Sequence, residues 1–152
     1  MRQARILLIE KDEGVRTVVS AVLERAEYEV IDVGDALEGL KRMYKRYHDL
    51  VIMADEILGA NVEELCHRLR WFGYMPIIVL GGKSNEEAAQ ILDSGADAYL
   101  RKGHNYPELV ARVRSLLRRR REHGSFSGGD SDCDPGGCNT RRGNGDQDLT
   151  LI

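Results

Sequence analysis

Four short stretches of this 152-residue chain carry the groups that could do chemistry together. Glu10-Lys11-Asp12 follows the apolar run 5–9, and Ala54-Asp55-Glu56 follows the run 50–53. Gly81-Gly82 follows 76–80, and Arg101-Lys102-Gly103 follows 98–100. Carboxylates and a lysine converging from separate segments can hold a hard cation and a phosphoryl group. The oxygens ligate the cation, and the ammonium offsets phosphate charge. Each of these residues alone is an ordinary solvated strand end. Their shared position, directly after an apolar run, points to one site.

The elements that must position them are legible as an alternation. Short apolar runs at 5–9, 28–33, 50–53, 76–80 and 98–100 have the composition of strands covered on both faces. Helical periods lie between and after them: Val15, Val18, Val19, Val22 and Leu23; Leu37, Leu40, Tyr44 and Tyr47; Val62, Leu65, Cys66 and Leu69; Ala88, Ile91 and Leu92; Leu109, Val110, Val113, Leu116 and Leu117. Asp35 is placed to cap the second helix, and Asn61/Glu64 and Ser84/Glu87 have capping-box spacing. Gly95 suits the end of the fourth helix and Pro107 the start of the fifth. Five strand–helix units predict a parallel sheet with helices on both faces. In such sheets the site lies at the carboxyl ends of the strands, where the four stretches fall.

Composition bounds the rest. Charge is nearly balanced, 22 Lys and Arg against 25 Asp and Glu, so nothing demands a polyanionic partner. No apolar run approaches the roughly 20 residues of a membrane span, and Glu10 interrupts the opening run before a signal peptide could form. Cys66, Cys133 and Cys138 make no disulfide framework or zinc set, and a cytoplasmic protein is expected. Composition shifts near residue 122 to Gly, Ser, Asp and Asn, which predicts a domain over 1–121 and a flexible linker over 122–146. The run Arg118-Arg119-Arg120-Arg121 is expected to end the last helix, favoured by the helix dipole, rather than to bind DNA.

Several segments carry a family likeness. Ile6-Leu7-Leu8-Ile9-Glu10-Lys11-Asp12 with Arg16, Pro76-Ile77-Ile78-Val79-Leu80, Gly95-Ala96-Asp97-Ala98-Tyr99-Leu100-Arg101-Lys102, and Glu108 through Arg114 with Leu117-Arg118-Arg119 resemble the receiver domain of OmpR/PhoB-type response regulators. The resemblance runs without gaps over about residues 4–120. It implies a flavodoxin-like, doubly wound sheet of five parallel strands in the order 2-1-3-4-5, with five helices. It also implies two-component signalling. A flavin-binding relative is disfavoured, because Glu10-Lys11-Asp12 is no anion cradle.

The family's site transfers only in part. Its first acidic position falls on Glu10, and its second on Lys11, which reverses the charge where the family binds magnesium. Its phosphoacceptor falls on Ala54, which has no nucleophile, and its hydroxyl residue on Gly81. Only Lys102 is retained, and it is followed by Gly103 where the family has proline. The expectation is therefore an atypical receiver that regulates without phosphorylation, is not an enzyme and needs no cofactor. Lys11, paired with Glu10 or Asp55, would act as a built-in cation. The alternative is a receiver phosphorylated on Asp55, with Mg2+ held by Glu10 and Asp55. Without a bulge in the third strand, Asp55 points away from Ala54. Tyr99 matches the family's switch aromatic, and the space beside Gly81 would let its ring stay inward.

The resemblance further implies a two-fold dimer through the fourth helix, fifth strand and fifth helix, with Asp93, Asp97, Glu108, Arg112, Arg114 and Arg119 on that face. Asp97 with Arg112 and Asp93 with Arg114 are the expected pairs. Asp146 through Ile152 looks like the first strand of a winged-helix DNA-binding domain, with 147–152 its opening strand. A transcription regulator is expected, with DNA, a sensor kinase or a small-molecule ligand as partners.

Overall fold

Continuous apolar runs become strands because a parallel sheet with helices on both faces buries both sides of each strand. The computed structural model describes residues 3–71, 73, 75–102 and 106–130. Its elements are β1 (Arg5–Ile9), α1 (Glu13–Arg25), β2 (Glu29–Val33), α2 (Ala36–Lys45), β3 (Leu50–Ala54), α3 (Val62–Arg70), β4 (Ile77–Gly81), α4 (Asn85–Asp93), β5 (Ala98–Arg101) and α5 (Tyr106–Asp130). The strands pair in the order β2-β1-β3-β4-β5, all in parallel. This is the expected doubly wound order. Every residue of β3 and β4 is buried.

Alternation along the strands builds two cores. Leu7, Ile9, Val51, Met53, Ile77 and Val79 face α2, α3 and α4. Ile6, Leu8, Ile52, Ile78, Leu80 and Leu100 face α1 and α5. Asp35, Asn61 and Ser84 cap their helices as the sequence predicts, though the capping box is formed at Ser84 and not at Asn61. Asp35 accepts from the Glu38 N–H, Asn61 from the Glu63 and Glu64 N–H groups, and Ser84 with Glu87 closes a full capping box.

Two expectations change. The stripe read for α2 is misphased: Leu37 and Tyr44 are 63% and 79% exposed. The buried residues are Ala36, Gly39 and Met43. A Cβ on Gly39 would lie 2.7 Å from Ile9 Cδ1, so the helix reaches the sheet through its smallest residues. A hydrophobicity pattern passes over such positions. The arginine run also does not end α5, which continues to Asp130. Arginine is a strong helix former, and adding residues to a formed helix costs far less than starting one. The chain divides after Leu117 into two units, the second beginning at Arg118. The rest of the predicted linker, with Cys133 and Cys138, and the strand expected over 147–152 lie outside the described residues.

At the opposite edge of the sheet from the strands' carboxyl ends, His48 is only 2% exposed. Its Nδ1 lies 3.0 Å from the Arg46 carbonyl oxygen, while Nε2 is buried without a partner. Burial lowers its pKa from 6.5, the Arg46 carbonyl opposes, and the charge of Arg5 adds to the lowering. The folded chain thus resists a proton that the unfolded chain accepts. The contribution of His48 to stability is full above pH 6.5 and declines as pH falls from there to the folded pKa. His48→Asn keeps a donor for Arg46 but cannot titrate. Its melting temperature should fall less than the parent's between about pH 7.5 and about pH 5.5. Equal falls would contradict this account.

Candidate functional site

The strand alternation divides the site in two. Glu10, Ala54 and Lys102 continue the series of residues that faces α1 and α5. Asp55 and Gly81 continue the series that faces α2, α3 and α4, and Tyr99 packs on that side. The register runs from Val51↔Ile77 to Ala54↔Leu80 without a bulge, so Asp55 cannot turn to Ala54's side.

On the first side the charges are already matched. Lys102 Nζ lies 3.1 Å from Glu10 Oε1, and the Glu10 side chain is 2% exposed. Glu10 Oε2 accepts from the Asp12 N–H at 3.0 Å, and the Glu10 carbonyl accepts from Arg16 at 2.8 Å. Asp12 caps α1 by accepting from the Val15 N–H. Lys11 does not pair with Glu10 or Asp55 as expected. Its partner is Glu56, at 3.5 Å, and both side chains are exposed. The Glu10 carboxylate is taken by the better-placed Lys102, and Asp55 is held on the other side of the sheet.

There, Gly81 is the space that makes the contacts fit. A Cβ at Gly81 would overlap the Asp55 carboxylate and lie 2.6 Å from the Tyr99 hydroxyl oxygen. Tyr99 donates to Asp55 Oδ2 at 2.9 Å, and the Gly82 N–H donates to the same oxygen at 3.1 Å. The Lys83 N–H donates to the Tyr99 oxygen at 2.8 Å. Burial raises the Tyr99 pKa, with the Lys83 N–H opposing and the Asp55 carboxylate adding, so the phenol keeps the proton that it donates. Sequence reasoning placed Tyr99 beside Gly81, but it missed Asp55 as its partner and did not single out Lys83.

A cleft of about 370 Å³ adjoins this cluster, with Lys11, Asp55, Glu56, Asn61, Lys83 and Gln90 in its wall. The donor set does not suit magnesium. Both Glu10 oxygens are engaged, Lys11 offers only donors, and Asp55 lies across the sheet from Glu10. Among the described residues, no three His, Cys, Asp or Glu gather where they could hold a metal.

On the expected dimer face, Asp93, Glu108, Arg112 and Arg114 are exposed. Ile91 is buried in the core, leaving Leu92, 40% exposed, as the apolar residue available. Asp97 is exposed too, but Oδ2 is engaged within the chain, by Arg70 Nη2 at 2.7 Å and the Ile77 N–H at 2.8 Å. That oxygen holds Asp97 at the start of β5. Arg70, which also donates to the Met75 carbonyl, was not singled out from sequence. Arg119 falls in the second unit.

The buried pair yields a test. Lys102→Met would leave the Glu10 carboxylate buried without its counter-charge, and should cost about 3 kcal/mol in urea unfolding. Adding Glu10→Gln should recover most of that loss. A loss below about 1 kcal/mol for Lys102→Met would show the pair to be energetically idle.

Comparison with known proteins agrees with this architecture. Residues 6–114 match the family model of the response regulator receiver domain. The response regulator ArlR of Staphylococcus aureus is 32% identical over 116 residues, which cover 76% of this chain and 53% of ArlR. The chain thus spans about half the length of the curated relatives that it matches. Among solved structures, a receiver domain protein from Methanospirillum hungatei superposes with a TM-score of 0.75 at 25% identity, covering 80% of this chain and 99% of that one. The BeF3-activated receiver domain of Klebsiella pneumoniae RstA gives 0.71 at 27% identity, covering 75% and 98%. With a family match over most of its length and the sheet order observed, the chain belongs to the response regulator receiver domain family.

Proposed function

We propose that this receiver works without aspartyl phosphorylation, as a regulatory and dimerisation module of a transcription regulator rather than as an enzyme. The observation that carries the reading is the end of β3. The strand delivers Ala54, a side chain with no nucleophile, and the neighbouring Glu10 carboxylate is already paired with Lys102. A phosphoryl group arriving there would meet neither an acceptor nor a metal to offset its charge. The module therefore operates without magnesium, in the cytoplasm, under the control of a partner protein, a small ligand or its own abundance. A sensor kinase is the partner only under the rival reading. DNA is contacted by a winged-helix domain, whose opening strand Asp146 through Ile152 resembles.

The rival acceptor is Asp55, which lines the cleft beside Lys11 and Lys83. Intact mass after incubation with a small-molecule phosphodonor and magnesium separates the two readings, with Asp55→Ala alongside. No adduct on the folded protein is expected. An adduct that disappears in Asp55→Ala would establish Asp55 as the acceptor and end the phosphorylation-independent reading.

The dimer uses α4, β5 and α5, with Leu92 at its centre and Asp93 facing Arg114 of a second copy. Asp97, whose Oδ2 Arg70 holds, keeps its second oxygen for Arg112. In sedimentation velocity, Arg114→Glu should weaken association, and adding Asp93→Arg should restore it. A wild-type chain that stays monomeric at high concentration would refute the dimer.

A further inference from the structure

We propose that the Asp55 carboxylate is a permanent internal ligand of the loop between β4 and α4, seated in the side-chain space that Gly81 leaves empty. Asp55 is thereby a positioning residue for the start of α4. This goes beyond the absence of phosphorylation: it assigns Asp55 a standing role in the free protein.

The contacts converge on Gly82, Lys83 and Asn85. The Gly82 N–H donates to Asp55 Oδ2 at 3.1 Å. The Lys83 N–H donates at 2.8 Å to the Tyr99 oxygen, which in turn donates to the same Asp55 oxygen at 2.9 Å. Arg101 lies over the Tyr99 ring, 5.5 Å from its centroid, and donates to the Lys83 carbonyl and, at 3.0 Å, to Asn85 Oδ1. Ser84, between them, is the N-cap of α4. Asp55 is the member that reaches from β3 across β4 to β5, and Tyr99 and Arg101 brace the loop from β5. Remove the carboxylate, and the Gly82 N–H loses its acceptor while the Tyr99 hydroxyl loses the oxygen that orients it. A hydrogen bond to a charged acceptor is worth more than a neutral one, so the loop should open measurably.

Sterics make Gly81 and Asp55 one unit. A Cβ at Gly81 and the Asp55 carboxylate claim the same volume. Gly81→Ala must therefore expel Asp55 in the parent chain, whereas once Asp55 is alanine it meets only the Tyr99 hydroxyl, the far end of a ring no longer tied to Asp55. The two substitutions should be strongly non-additive.

Amide hydrogen exchange on the untreated protein tests the proposal. In Asp55→Ala, the Gly82 and Lys83 amides should exchange about tenfold faster or more, with β1 and β3 unchanged. Asp55→Asn, whose side-chain oxygen can still accept from Gly82 and Tyr99 but without the charge, should fall between the parent and Asp55→Ala. Gly81→Ala should lower the urea midpoint clearly in the parent and much less in the Asp55→Ala background. Unchanged exchange at Gly82 and Lys83 in Asp55→Ala would overturn the proposal, as would additive midpoint shifts. If Asp55→Ala fails to fold, the pair Asp55→Asn and Gly81→Ala decides: modestly faster exchange at Gly82 and Lys83 in the Asn variant, with a destabilised Gly81→Ala, supports the proposal, and any other pattern refutes it. A phosphoryl adduct on Asp55 in the mass experiment would end the phosphorylation-independent reading and leave this one standing, since it concerns the unmodified chain.

Discussion

The alternation of side chains along a sheet buried on both faces governs everything else in this protein. A strand has two sides, and in β3 and β4 both are closed by helices. Neighbouring residues at a strand's end are therefore separated by the sheet itself. Ala54 and Asp55 are adjacent in sequence yet belong to different surroundings. One continues the side packed by α1 and α5, and the other continues the side packed by α2, α3 and α4. Moving Asp55 to the first side would require a bulge, which the paired β3 does not have, or a register slip, which would carry the apolar residues of β3 to the wrong cores.

Two electrostatic arrangements follow. On one side, a buried carboxylate and a partly exposed lysine neutralise each other, with the Asp12 N–H filling the second oxygen. On the other, a carboxylate is satisfied by a phenol and a main-chain amide. Neither leaves a cluster of free oxygens. The exposed Lys11–Glu56 pair at the rim is screened by water and contributes little to stability.

Much of the fold was legible because its signals are local. Buried strands are short runs of large apolar residues, and Asp35, Asn61 and Ser84 announce helix starts by type alone. The α2 face was only partly legible, because beside Met43 and Leu40 its contact is made by Ala36 and Gly39, small residues with little hydrophobic signal, and Gly39 comes close to Ile9. In the site, the family positions of Glu10, Ala54, Gly81 and Lys102 were readable from the residues after each strand. The partners were not. Lys11 with Glu56, Lys102 with Glu10 and Arg70 with Asp97 are contacts between distant segments, set by side-chain reach. One signal was only half used: alternation set Asp55 apart from Ala54 and Tyr99 sat beside Gly81, but counting on from Met53 and Val79 puts Asp55, Gly81 and Tyr99 on a single side.

The loop after β4 is recognised through its main chain. Gly82 and Lys83 contribute amide groups to Asp55 and Tyr99, not side chains. A Cβ added at Gly82 would meet nothing within 4 Å. Sequence at these two positions is consequently free to drift: almost any residue presents the same N–H, and only proline removes it. Relatives that share this arrangement would be recognised by the combination of a small residue at the end of β4, an acidic residue just past the end of β3 and tyrosine in β5. The loop they jointly hold would carry no signature of its own.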